Sequence, residues 1–160
     1  MIEILRILEQ DGRLTPEQLA ERSGRPVDEV RQFITAAEEK GIIRKYKAVI
    51  DWDRVEDADM TKAFIEVKVS PQREYGFDAI AERILRFPEV RSLYLLSGAY
   101  DLHVTVQGKD LRSIANFVTT KLAALDNVLS TTTHFVLRGY KIDGDIMEDL
   151  EGSDRLPTSF

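Results

Sequence analysis

Residues 14–41 read LTPEQLAERSGRPVDEVRQFITAAEEKG, two helix starts and two helix stops in one short run. Thr15 is an N-cap, Pro16 suits the first helical position, and Gln18 stands where a capping box needs it. Leu19 and Ala20 then face inward until Ser23-Gly24 breaks the helix. Pro26 opens the next helix, with Val27, Val30, Ile34 and Ala37 along one side and Gly41 as its stop. Two short helices joined by a tight glycine-containing turn form a helix-turn-helix, whose second helix fits the DNA major groove.

Upstream, Ile4, Leu5 and Leu8 recur at helical spacing, and Asp11-Gly12 is read as a stop with a glycine free to take positive φ. Downstream of Gly41 the period becomes two. Ile43, Lys45, Lys47 and Val49 alternate with Arg44, Tyr46, Ala48 and Ile50, which predicts a strand or hairpin. Such a basic wing suits phosphate contacts. On the second helix of the pair, Arg31 suits guanine and Gln32 suits adenine, while Arg25 joins Arg44, Lys45 and Lys47 as a phosphate contact. Asp28 and Glu29 occupy the end that approaches DNA. They favour the helix dipole but repel phosphates, so each head binds modestly and multivalency supplies the rest.

From Thr61 to Tyr140 a strand–helix–strand unit is written twice. Ala63, Ile65, Val67 and Val69 mark a first strand, and Phe77, Ile80, Ala81, Ile84 and Leu85 one helical face. A second strand runs from Val90 to Ser97-Gly98, and a third from Tyr100 to Gln107. Asp110 caps a helix with Leu111, Ile114, Ala115, Val118, Leu122 and Leu125 inward, before a last strand from Leu129 to Tyr140. The order βαββαβ is the ferredoxin-like sandwich. Phe64, Leu93, Leu95 and Phe135 do not all fit the helix-covered face, so a second subunit is expected to cover the other. The expected fold is α+β: a winged helix-turn-helix at 1–47, a linker strand and hinge at 48–60, the sandwich at 61–141 and an acidic tail at 142–160.

Composition narrows the function. The chain has 160 residues, no cysteine and a net charge of −6. There is no disulfide framework or thiolate metal site, and no apolar run nears the roughly 18 residues that span a bilayer. No secretory signal opens the chain, so the cytoplasm is the expected compartment. The acidity argues against a protein that coats nucleic acid indiscriminately. It is uneven, with Asp143, Asp145, Glu148, Asp149, Glu151 and Asp154 near the end and Arg44, Lys45 and Lys47 by the head. His103 and His134 lack the neighbours of a metal or haem site, and no phosphate loop or nucleophile motif occurs. No metal or cofactor is expected.

Ser97-Gly98-Ala99-Tyr100-Asp101 is the candidate ligand site. Gly98 permits close backbone approach, Tyr100 offers a wall, and Asp101 a countercharge for an ammonium group. The Thr131-Thr132-Thr133 run on the last strand adds hydroxyls. The structural alternative is that Gly98 makes a hairpin turn and the threonines are good strand residues.

Leu14-Thr15-Pro16 through Leu19-Ala20, followed by Glu38-Glu39-Lys40-Gly41-Ile42-Ile43-Arg44-Lys45-Tyr46, resembles the head of the Lrp/AsnC family of transcription regulators. Gly98-Ala99-Tyr100-Asp101 and Ser130-Thr131-Thr132-Thr133 resemble that family's amino-acid-responsive domain. The resemblance implies dimers, often built into octamers or larger rings, that bind double-stranded DNA. It also implies dimer pairing through the linker at Ala48 to Asp53, and a small effector bound between dimers near Gly98, Tyr100 and Asp101, with Thr131 and Thr133 as further candidates. This chain departs from the pattern in the reading helix, where Pro26, Asp28, Glu29, Gln32 and Phe33 stand. A metabolite-binding scaffold with a degenerate head is therefore an alternative. Sirohaem decarboxylases resemble the same two-part architecture, but the second half shows no obvious arginine cluster for a tetrapyrrole.

Overall fold

A computed structural model describes residues 1–56, 60–70 and 76–147, and the chain falls into two compact units, Met1–Ile50 and Asp51–Phe160. In the first, α1 (Ile2–Gln10), α2 (Pro16–Ser23) and α3 (Val27–Glu39) enclose a small core of Ile4, Leu19, Ala20 and Val30. Thr15 and Gln18 form a complete capping box at the start of α2. Gly24, at φ 65°, ends that helix, with Arg25 N–H donating to Ala20 O. Gly41, also at φ 65°, ends α3 in a Schellman motif. There Ile42 N–H donates to Ala37 O and Gly41 N–H to Glu38 O.

One helix stop is made differently here, and one expected strand is missing. Gly12 does not adopt positive φ; α1 ends on an extended Asp11, whose carboxylate accepts from Arg13 N–H. Residues 42–50 form no strand. Their alternation is real, but a lone ribbon is marginal without further strands or a packed face. The segment is instead tied back to α3, where Ile43 N–H donates to Ala37 O and the Tyr46 hydroxyl to Glu38 at 2.9 Å. Burial, and then the Glu38 carboxylate, hold the Tyr46 phenol above its usual range.

In the second unit, β1 (Thr61–Val69), β2 (Val90–Leu95), β3 (Leu102–Gly108) and β4 (Val128–Phe135) form one antiparallel sheet in the order β2-β3-β1-β4. With α4 (Asp78–Ile84) and α5 (Leu111–Phe117) the chain order is βαββαβ. Ala63, Ile65 and Val67 alternate inward on β1, as do Leu102, Val104 and Val106 on β3, and Ile84, Ile114, Phe117 and Leu122 join their core.

Register corrects how the two sheet faces were apportioned, because directly opposed residues share a face. Leu93 opposes Val104, Leu95 opposes Leu102 and Phe135 opposes Ala63, so all three belong to the helix side. The open face carries Phe64, Tyr94, His103, Thr132 and His134.

The fifth helix departs from its predicted face. Leu111 and Ala115 are exposed and Phe117 is buried. The helix widens into a π turn at Val118–Leu122, where Ala123 N–H reaches Val118 O. The Thr119 and Thr120 hydroxyls donate to Ala115 O and Asn116 O, competing for the carbonyls that α-helical hydrogen bonds would use. Beyond Phe135 the strand does not continue to Tyr140. A small hairpin follows instead, β5 (Lys141–Ile142) and β6 (Asp145–Ile146), turned by Asp143 at φ 50° and Gly144 at φ 100°. The tail predicted at 142–160 therefore begins as this hairpin, and its residues from 148 on lie outside the described ones. Among the described residues no helix is long and apolar enough to cross a membrane.

Candidate functional site

The candidate DNA contacts all lie in the first unit. Gln32, Arg44, Lys45 and Lys47 are exposed. The Arg44 guanidinium folds over Gly41, where an added Cβ would approach it to 3.3 Å. The two other arginines are engaged. Arg25 pairs with Glu29 at 2.7 Å, and Arg31 of α3 pairs with Glu17 in the first turn of α2. A hydrogen bond from its own backbone N–H, then the Thr15 hydroxyl and Arg31, hold the Glu17 carboxyl below the usual carboxylate range. Arg25 lies just before α3, so its pair with Glu29 spans the helix start rather than one helix face. The Glu17–Arg31 pair joins two helices, and no local pattern announces it.

In the second unit the loop between β2 and β3 is held from both sides. Leu96 N–H donates to Asp101 O at 2.8 Å, and Asp101 N–H to Val67 O at 3.1 Å. The Asp101 carboxylate accepts from Val69 N–H at 2.9 Å and from Lys68 Nζ at 3.1 Å. Those bonds, the Val69 N–H first, hold its carboxyl below its ordinary range. It is therefore not a vacant countercharge as expected: both oxygens already serve the end of β1. The Tyr100 hydroxyl pairs with Thr132 Oγ1 at 2.9 Å. Thr131 and Thr133 oppose Val67 and Ile65, so they belong to the helix side and do not join Tyr100. Alternation along the strand turns them to the face opposite Thr132.

Gly98 sits exposed at the tip of this loop. Its φ is not left-handed, and a Cβ added to it would meet no atom within 4 Å. Of the glycines in the described residues it alone combines an ordinary φ with open space where a Cβ would stand. Nearby on the open face, His103 stacks against Phe64 at 5.3 Å, and His134 Nε2 lies 3.5 Å from Glu66. Among the described residues no cluster of three or more metal-ligating side chains forms. On the helix side, an open groove of about 400 Å³ runs between α4 and β2, floored by Leu93, Leu95 and Leu102.

A helix-turn-helix unit followed by a βαββαβ domain with an exposed, anchored loop defines a DNA-binding regulator with a ligand-binding domain. The comparisons agree. Residues 1–44 match a family described as winged helix-turn-helix DNA-binding, and residues 62–146 match the Lrp/AsnC ligand binding domain. The chain belongs to the Lrp/AsnC family of transcription regulators. It is 46% identical to the HTH-type transcriptional regulator YugG of Bacillus subtilis over 157 residues, covering 98% of this chain and 95% of that one. It is 32% identical to the leucine-responsive regulatory protein of Rhizobium meliloti, over 88% of each chain. Among solved structures, a Neisseria meningitidis transcriptional regulator in complex with L-methionine superposes with a TM-score of 0.70 at 28% identity, covering 88% of this chain and 90% of that one. A feast or famine regulatory protein of Mycobacterium tuberculosis, also complexed with L-methionine, gives 0.72 at 25% identity, covering 92% and 96%. These relatives are regulators, and no enzyme family is indicated for the chain.

Proposed function

We propose that this regulator binds double-stranded DNA through paired heads and responds to an amino-acid effector bound at the β2–β3 loop. The observation that carries the effector reading is Gly98. It stands in open space at the exposed tip of an anchored loop, which leaves a ligand room to approach its backbone closely. Tyr100 and Asp101 hold the loop in place for it, with Thr132 rather than Thr131 or Thr133 as the supporting hydroxyl. The two relatives solved with L-methionine support an amino acid as the ligand class.

A homodimer or larger homo-oligomer is part of the same reading. Phe64 and Tyr94 stand exposed on the open sheet face, and Val49, Ile50, Trp52 and Val55 are exposed along the linker. Apolar groups from several elements left in water favour a second copy as cover. The cytoplasm is the compartment this function implies.

Thermal unfolding and sedimentation with a panel of L-amino acids, L-methionine included, test the reading on the wild type and on Gly98→Leu. At least one amino acid should raise the wild-type Tm or change its sedimenting mass. Gly98→Leu should fold normally and lose that response. A variant that responds like the wild type removes the loop from the site, and a wild type that sediments as a monomer removes the oligomer.

A further inference from the structure

We propose that Glu17 and Glu29 act as built-in substitutes for DNA phosphate, occupying Arg31 and Arg25 in the free head so that only a well-matched duplex displaces them. The inference rests on the reading that these two arginines meet DNA. Its first support is placement. Glu17 lies in the first turn of α2 and Glu29 in the first turn of α3, the positive ends where a helix-turn-helix approaches the backbone and where helices bind anions. Each carboxylate thus takes an anion's place at a helix start and also holds an arginine of the same surface.

Structural need does not explain the pairs. The side chains are well exposed, 54% for Glu17 and 55% for Arg31, and exposed ion pairs add little to stability. Leu19, Ala20 and Val30 already pack these helices together. The Glu17–Arg31 pair also bridges separate helices, so local helical spacing does not produce it.

The effect is on selectivity. Random DNA offers mainly phosphates, which meet competition from a resident carboxylate and repulsion from Glu17, Asp28 and Glu29. A guanine in the right place offers Arg31 two acceptors in its own plane, more than the single contact it gives up. Repulsion built against the wrong partner raises the ratio of correct to random binding.

Fluorescence anisotropy with the full chain tests this, using a duplex selected from random sequence by the wild type and a scrambled duplex of equal length. Glu17→Gln with Glu29→Gln should tighten scrambled binding on the order of tenfold at 0.1 M salt and steepen its salt slope by about one to two. The selected duplex should gain less, so the ratio falls. Glu9→Gln with Glu21→Gln changes the head's charge equally at other exposed positions and should do neither. Arg31→Ala should weaken the selected duplex. If Arg31→Ala weakens it while the Glu17/Glu29 variant matches the Glu9/Glu21 control, the phosphate substitution is wrong. If Arg31→Ala changes nothing, the assignment of that arginine to DNA fails as well.

Discussion

At Asp101 a single carboxylate closes one end of the sheet. It ties the loop before β3 to Val69 N–H and Lys68 on β1, so its loss should be felt in folding before it is felt in ligand binding. The folded carboxyl titrates below its ordinary value. Its contribution is therefore complete above the unfolded pKa and fades as pH falls through the folded one. Asp101→Asn should lower the Tm at pH 7, and its gap from the wild type should narrow below about pH 4. A gap that stays constant or widens in acid, followed by circular dichroism, would contradict the anchoring role. The residue types at this loop were legible from sequence, but their partners were not. Glycine, tyrosine and aspartate in a row announce a turn with chemistry. Only strand register reveals that the aspartate faces Lys68 and that the tyrosine meets Thr132.

The helical elements were read accurately where local chemistry decides them. Thr15, Pro16 and Gln18 dictate the start of α2 whatever surrounds it, and Thr15→Ala should destabilise the head by about 1 kcal/mol. In a unit this small, that lowers its melting temperature by several degrees, on the order of 4–8 °C. Calorimetry showing no shift would mean the cap contributes nothing in place. Elements that depend on a partner were read less well. Residues 43–50 alternate as a strand should, yet among the described residues no neighbouring strand accepts their hydrogen bonds. Conversely, Ile142-Asp143-Gly144-Asp145-Ile146 carries an Asp-Gly turn signal, and the acidic composition around it concealed that signal. The π turn was equally hidden, because it arises from two adjacent threonines competing for carbonyls rather than from periodicity.

Across the whole molecule, two periodicities in one chain gave the two-part architecture directly, and membership of the Lrp/AsnC regulators follows from both parts. What sequence alone left ambiguous was the head. Asp28 and Glu29 at the start of the reading helix suggested a degenerate reader, whereas the ion pairs recast Glu29, with Glu17, as competitors for the same arginines. On the proposed function, a chain with net charge −6 relies on a few cations and on pairing of heads for its affinity. The most direct measurement is the affinity of the full chain for a selected and a scrambled duplex across a salt series, with and without a mixture of amino acids. The account predicts selective binding that weakens on the order of a thousandfold between 50 and 200 mM salt, and that the mixture alters. Equal affinity for both duplexes, unmoved by any amino acid, would contradict it.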